Sequence, residues 1–142
     1  MTGMVFIKDE GSEFKAPLDK IWKLNASEGQ HAHPSLKNQK GEPAGENSLI
    51  LSYDADVGGG KTARVRTRIT MVPPLGEISE VLDGPMAGSK SFQYYTPKGS
   101  KTGVTVVGEW KSSMMSDDQI KKAVMNFLQT VFDEDQSNLT KM

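Results

Sequence analysis

Four groups of residues in this chain are of types that could do chemistry. The first is His31-Ala32-His33, a pair of imidazoles one residue apart on a stretch rich in turn-forming residues. Imidazole is a good zinc ligand, but two on a loop are too few, and the chain has no other histidine and no cysteine to complete a site. No metal and no cofactor is therefore expected. The second is Ala55-Asp56-Val57-Gly58-Gly59-Gly60-Lys61-Thr62, which follows a relaxed phosphate-loop pattern. The third is Arg64, Arg66 and Arg68, the only arginines present. The fourth is a scatter of polar-tipped residues on apolar strands: Glu80, Tyr53, Thr67, Tyr94 and Trp110.

Position decides what each group can do. A phosphate loop works because a helix begins straight after the glycines and aims its free N–H groups at the phosphate. Here Ala63, Val65, Ile69 and Met71 alternate with Arg64, Arg66, Arg68 and Thr70, which is the period of a strand. Upstream, Leu49, Leu51, Tyr53 and Ala55 alternate in the same way. Folding the two runs about Gly58-Gly59-Gly60 pairs Ala55 with Ala63, Tyr53 with Val65, Leu51 with Thr67 and Leu49 with Ile69 on one apolar face. The other face receives Asp54 opposite Arg64 and Ser52 opposite Arg66. The glycines are thus the loop of a hairpin, and the arginines belong to a solvated outer face. Too few aromatics interleave them to make a nucleic-acid platform, and a net charge of −1 gives no field for one.

Glu80 depends on the phase of residues 77 to 82. If Ile78 and Leu82 face inward, so does Glu80, and a buried carboxylate with a raised pKa is a general acid or base. In the opposite phase Glu77, Ser79 and Val81 are inside and Glu80 faces Arg68. His33 and Tyr94 are the other candidates for acid–base work.

The elements that must position these residues can be read in order. Residues 3 to 14 form a first strand. Pro17 starts a short helix that presents Leu18, Ile21 and Trp22 on one face. Residues 25 to 47, with two prolines and three glycines, read as a second short helix or turn and then a loop. Strands separated by turn signals fill 48 to 112, with Val104, Val106 and Trp110 sharing a face. Ser116 caps a long helix, Gln119 completes its capping box, and Ile120, Ala123, Val124, Phe127, Leu128, Val131 and Phe132 make a broad apolar face.

No repeat or composition shift divides the chain, so residues 1 to 142 form one domain, with 36% hydrophobic residues to fill its core. The N-terminus lacks the basic start and long apolar core of a secretory signal, and no segment approaches the roughly 20 apolar residues of a membrane helix. With no cysteine, the expected setting is a reducing cytoplasm, and the default state is a monomer or small oligomer.

In order, these elements resemble the START-related superfamily, also called SRPBCC. Phe14-Lys15-Ala16-Pro17-Leu18-Asp19-Lys20-Ile21-Trp22 is similar to its strand-to-helix entry, and His33-Pro34-Ser35-Leu36 to its His-Pro segment. Asp83-Gly84-Pro85-Met86 and Gly108-Glu109-Trp110 fall where small members carry similar residues, while Ala32 stands where many carry a bulky aromatic. The resemblance implies an α+β helix-grip fold: a curved antiparallel sheet of about six strands, two short helices after the first, and a long C-terminal helix over the concave face. It further implies an internal cavity, expected to be lined by Trp22, His33, Tyr53, Val65, Thr67, Ile69, Met71, Phe92, Tyr94, Val106, Trp110, Val124, Phe127, Leu128 and Val131. The expected partner is a small hydrophobic molecule (a lipid, polyketide or aromatic metabolite), not nucleic acid or an integral membrane. The alternatives are a cyclase- or dehydratase-type enzyme and a protein-interaction module.

Overall fold

A computed structural model describes residues 3–26, 33–58 and 60–142. Seven strands and two helices follow one another as β1 (Gly3–Phe14), α1 (Leu18–Ala26), β2 (Lys37–Pro43), β3 (Ser48–Gly58), β4 (Lys61–Val72), β5 (Gly76–Asp83), β6 (Lys90–Lys98), β7 (Lys101–Ser112) and α2 (Asp117–Lys141). All seven strands join one antiparallel sheet in the order β1-β7-β6-β5-β4-β3-β2. The first strand therefore closes against the last, and the strands between form an unbroken meander.

The β3–β4 hairpin has the register that the alternation demands: Ala55 opposite Ala63, Tyr53 opposite Val65, Leu51 opposite Thr67 and Leu49 opposite Ile69. One expectation is corrected and one falls outside the described residues. The stretch expected to be a loop before residue 48 contains β2, so the sheet has seven strands where about six were expected. Every residue of β2 is exposed and most are polar. An edge strand with neither face buried has no alternation to reveal it. Among the described residues one short helix, α1, follows β1; a second would fall on residues 27–32, which lie outside the described ones, and His33 to Leu36 form a turn closed by Leu36 N–H donating to His33 O.

The long helix is built as its sequence specifies. The Ser116 hydroxyl accepts from Gln119 N–H, and the Gln119 side chain accepts from Ser116 N–H. At 25 residues, α2 spans about 38 Å and lies across the concave face. It is packed at both ends. Near its start Ile120 and Val124 join Ile7, Val106 and Trp110 in one close core. Near its end Leu139 joins Phe14, Ile21, Leu24, Tyr95 and Val104 in another, where Phe132 stacks on Phe14 with ring centres 4.4 Å apart. Thr102, fully buried, donates to Ala16 O at 2.8 Å and fixes the entry to α1 in that second core.

Candidate functional site

Between its two anchored ends α2 is packed loosely. Phe127 is 42% exposed and Val131 only half-buried, while Met125 and Leu128 still pack against the first core. The strands beneath match it: Leu49, Leu51, Tyr53, Ile69, Met71 and Val81 all point to the concave face and all are half-buried. Neither core includes any residue of β3, β4 or β5. An apolar sheet face under an apolar helix face would normally close to crystal-like density. Here the two faces are held apart, and a cleft of about 540 Å³ opens between mid-α2, the β3–β4 hairpin and the turn at Ser35 to Lys37. Tyr53 and Phe127 stack across it at 6.5 Å between ring centres.

A polar cluster lies on the same concave face, where β5 and β6 meet α1 and the second core. The Tyr95 hydroxyl oxygen accepts from Asn25 Nδ2 at 3.1 Å and from Gln93 Nε2 at 3.2 Å. The same Gln93 amide donates to Glu77 Oε1 at 3.4 Å. With its oxygen engaged by two amides, Tyr95 keeps its hydroxyl hydrogen as a donor. Burial first, and then the negative charge of Glu77, hold the phenol protonated by raising its pKa far above the ordinary value. Tyr53 is likewise raised, by burial. Trp22 meets Tyr95 edge-on at 5.7 Å, and its indole N–H donates to Pro74 O at 3.3 Å, tying α1 to the β4–β5 turn.

His33 closes the other wall. Its Nδ1 lies 3.0 Å from Glu134 Oε1 and its Nε2 lies 3.3 Å from Asp135 Oδ1. Ser35 adds its N–H and its hydroxyl to Glu134, each at 2.9 Å. Burial is the largest influence on the imidazole and opposes its charge, but the two carboxylates together outweigh it and raise its pKa. The turn is thereby clasped to α2. Among the described residues no set of three or more His, Asp and Glu side chains is placed to hold a metal ion; His31 and Ala32 lie outside those residues.

The expected site residues thus divide. Tyr53 and Phe127 line the cleft, Thr67, Ile69 and Met71 lie on the concave face, Val131 is half-buried on α2, and Trp22 and Leu128 pack against the second and first cores instead. Val65 is on that face and buried. Val106, Trp110 and Val124 face the same side but fill the first core instead of lining space, a correction that follows from Gly108: the Trp110 ring lies directly over it, where a Cβ would sit 2.8 Å from the indole. His33 is not an open rim group, since its side chain is 8% exposed and held between carboxylates. Glu80, Phe92 and Tyr94 are on the wrong face. Glu80 is opposite Arg68 and Lys90, Phe92 is opposite Ile78 and Val107, and all of these point to the convex side. A carboxylate there has no cavity to serve.

Glu77, Gln93, Tyr95 and Asn25 were missed, although the signal was present. Gly99 and Ser100 leave a two-residue turn between Lys98 and Lys101, which sets Tyr95 opposite Val104. Since Val104 faces inward, so must Tyr95, and Tyr94 must face out. The β4–β5 turn likewise sets Glu77 opposite the inward Met71.

The sequence matches no family model and no curated protein. Solved structures do match. Ara h 8.0201 superposes with a TM-score of 0.75 over 99% of this chain and 100% of its own, at 14% identity. A protein from Thermus thermophilus, TTHA0849, gives 0.76 over 96% and 98% at 12% identity. The Zhui aromatase/cyclase from a Streptomyces species gives 0.71 over 96% and 91% at 12% identity. The fold is the helix-grip fold. At these identities the likeness extends to architecture alone, and it agrees with the helix-grip arrangement of a curved antiparallel sheet embraced by its last helix. Norcoclaurine synthase from Thalictrum flavum shares it at a TM-score of 0.66 and 16% identity, over 95% of this chain and 92% of its own, and a structure of that enzyme holds dopamine and hydroxybenzaldehyde. Among the described residues of this helix-grip chain no helix is long and apolar enough to cross a membrane.

Proposed function

We propose that this chain binds a small, mainly apolar molecule carrying one polar end, in the space between mid-α2 and the concave face of β3 to β5. One observation carries the reading: α2 is packed tightly at both ends and held off the sheet between them, so apolar side chains on both faces remain uncovered. Covering them is favourable by about 25 cal/mol per Å². Tyr95, at the edge of the second core with its oxygen held by two amides, is the residue we propose to orient the guest's polar end. The aromatic pair Tyr53 and Phe127 stands at the opening.

Anilinonaphthalene sulfonate, which fluoresces in apolar sites, provides the test. The protein should enhance its emission saturably, and Val131→Trp, which fills the gap from the helix side, should abolish the enhancement while the far-UV spectrum is retained. Enhancement that survives Val131→Trp would place the dye elsewhere and remove the proposal. Tyr95→Phe should weaken capture of a phenolic guest by roughly tenfold, the worth of one hydrogen bond, and leave a plain hydrocarbon guest unaffected.

A second reading, a cyclase- or dehydratase-type enzyme, is favoured by the placement of Glu77 near Tyr95: a carboxylate and a hydroxyl donor linked through Gln93 on the concave face can share acid–base work. Glu77→Gln should then stop turnover of a polyketide-like ketone while leaving dye capture intact.

A further inference from the structure

The convex face of the sheet has a side-chain pattern that solvent alone does not explain. Across four adjacent strands Glu109, Lys90, Glu80 and Arg68 stand side by side, a row of alternating sign about 14 Å long. Among the described residues Lys90, Glu80 and Arg68 form no ion pair or side-chain hydrogen bond, although each stands beside an opposite charge. The next row on the same face, two residues along each strand, is Val107, Phe92, Ile78 and Thr70. Ile78 is 38% exposed, and Phe92 and Val107 are partly buried. An apolar patch of Val107, Phe92 and Ile78, bordered by a charge row in which only Glu109 has an ion-pair partner, Lys111 of its own strand, among the described residues, is the composition of an interface.

We propose that a second copy of this chain covers the band, making a two-fold dimer with the convex faces packed together and β5 and β6 at its centre. The charge row selects both the partner and the axis. A two-fold axis running across the strands would set each charge over itself. An axis running along the strands, between β5 and β6, exchanges the row end for end. Glu109 of each copy then meets Arg68 of the other, and Lys90 meets Glu80, so all four positions are complementary. The same operation sets Phe92 over Ile78, twice, at the centre of the apolar band. A surface that is complementary to itself under one rotation is what an isologous dimer requires. Two sheets packed face to face with strands nearly aligned stand about 10 Å apart, which these side chains can fill. The concave cleft lies on the opposite side and stays open.

The experiment is a charge exchange read by sedimentation velocity. The wild-type chain should sediment as a dimer, and Phe92→Glu should yield monomer. Glu80→Lys alone sets Lys90 against a lysine in the other copy, and Lys90→Glu alone sets two glutamates together; each should weaken dimerisation by about tenfold or more. An equimolar mixture of these two single variants restores both pairs in a heterodimer and should recover the dimer, as should the chain carrying both exchanges. Dye capture at the concave cleft should be unchanged in every variant, which separates this proposal from the one above. A wild-type chain that is monomeric at its highest soluble concentration would overturn the proposal. So would a dimer indifferent to both single exchanges, or a mixture no more dimeric than its components.

Discussion

His33 sets a pH window for the turn it holds. Its folded pKa is raised above the ordinary 6.5, so the clasp's contribution is full below that unfolded value and is lost as pH rises through the folded one. Glu134 sets the acid limit. Burial opposes its charge, but His33 and the two Ser35 donors prevail and lower its pKa below 4.5, so its contribution is present above the unfolded value and is lost as pH falls through the folded one. Thermal unfolding should therefore show the wild-type chain losing stability on the alkaline side relative to its value near pH 6. His33→Asn, which cannot change charge, should flatten that limb. An unchanged alkaline limb in the variant would assign the loss to other groups. None of this was legible in the sequence, because Glu134 and Asp135 stand about a hundred positions from His33 and look like part of the solvated face of a helix.

At the level of the strand, legibility followed alternation. Residues 49 to 55 and 63 to 71 each carry a clear period of two, and one register satisfied both faces, so the pairings from Leu49–Ile69 to Ala55–Ala63 could be written down; the tip differs, since Gly58, expected in the loop, ends β3 and pairs with Lys61 past a register shift. The β5 segment Glu77-Ile78-Ser79-Glu80-Val81-Leu82 mixes apolar and polar residues in both phases, and composition alone gave no answer. Its phase is decided at the turn, where Val72 pairs with Gly76. Gly76 is there because the chain leaves no room: a Cβ would lie 1.9 Å from Gln93 O and 2.7 Å from Tyr94 Cα. Gly76→Ala must push β6 away from β5, and since Gln93 belongs to the polar cluster, the displacement reaches the site. A loss of about 2–3 kcal/mol is expected in urea unfolding, in the range of overpacked core positions, together with weaker dye capture.

For the whole molecule, element order carried the resemblance that implied the fold and an internal cavity; what no sequence pattern showed is where the core is dense and where it is not. Truncations along α2 should map this directly. Ile120→Ala and Leu139→Ala each empty a completely buried position and should cost about 2–5 kcal/mol in urea unfolding. Phe127→Ala, the larger truncation by size, removes a ring that is 42% exposed and should cost less than either. If Phe127→Ala proves as costly as Ile120→Ala, the helix is seated along its full length and there is no cleft to fill. The arrangement has a further consequence for selectivity. A beam fixed at both supports can bow at mid-span without moving its footings, so guests of graded bulk could be admitted by flexing the helix around Phe127 and Val131 while the buried anchors Ile120 and Leu139 stay in place. Discrimination would then fall on the polar terminus of the guest rather than on its girth.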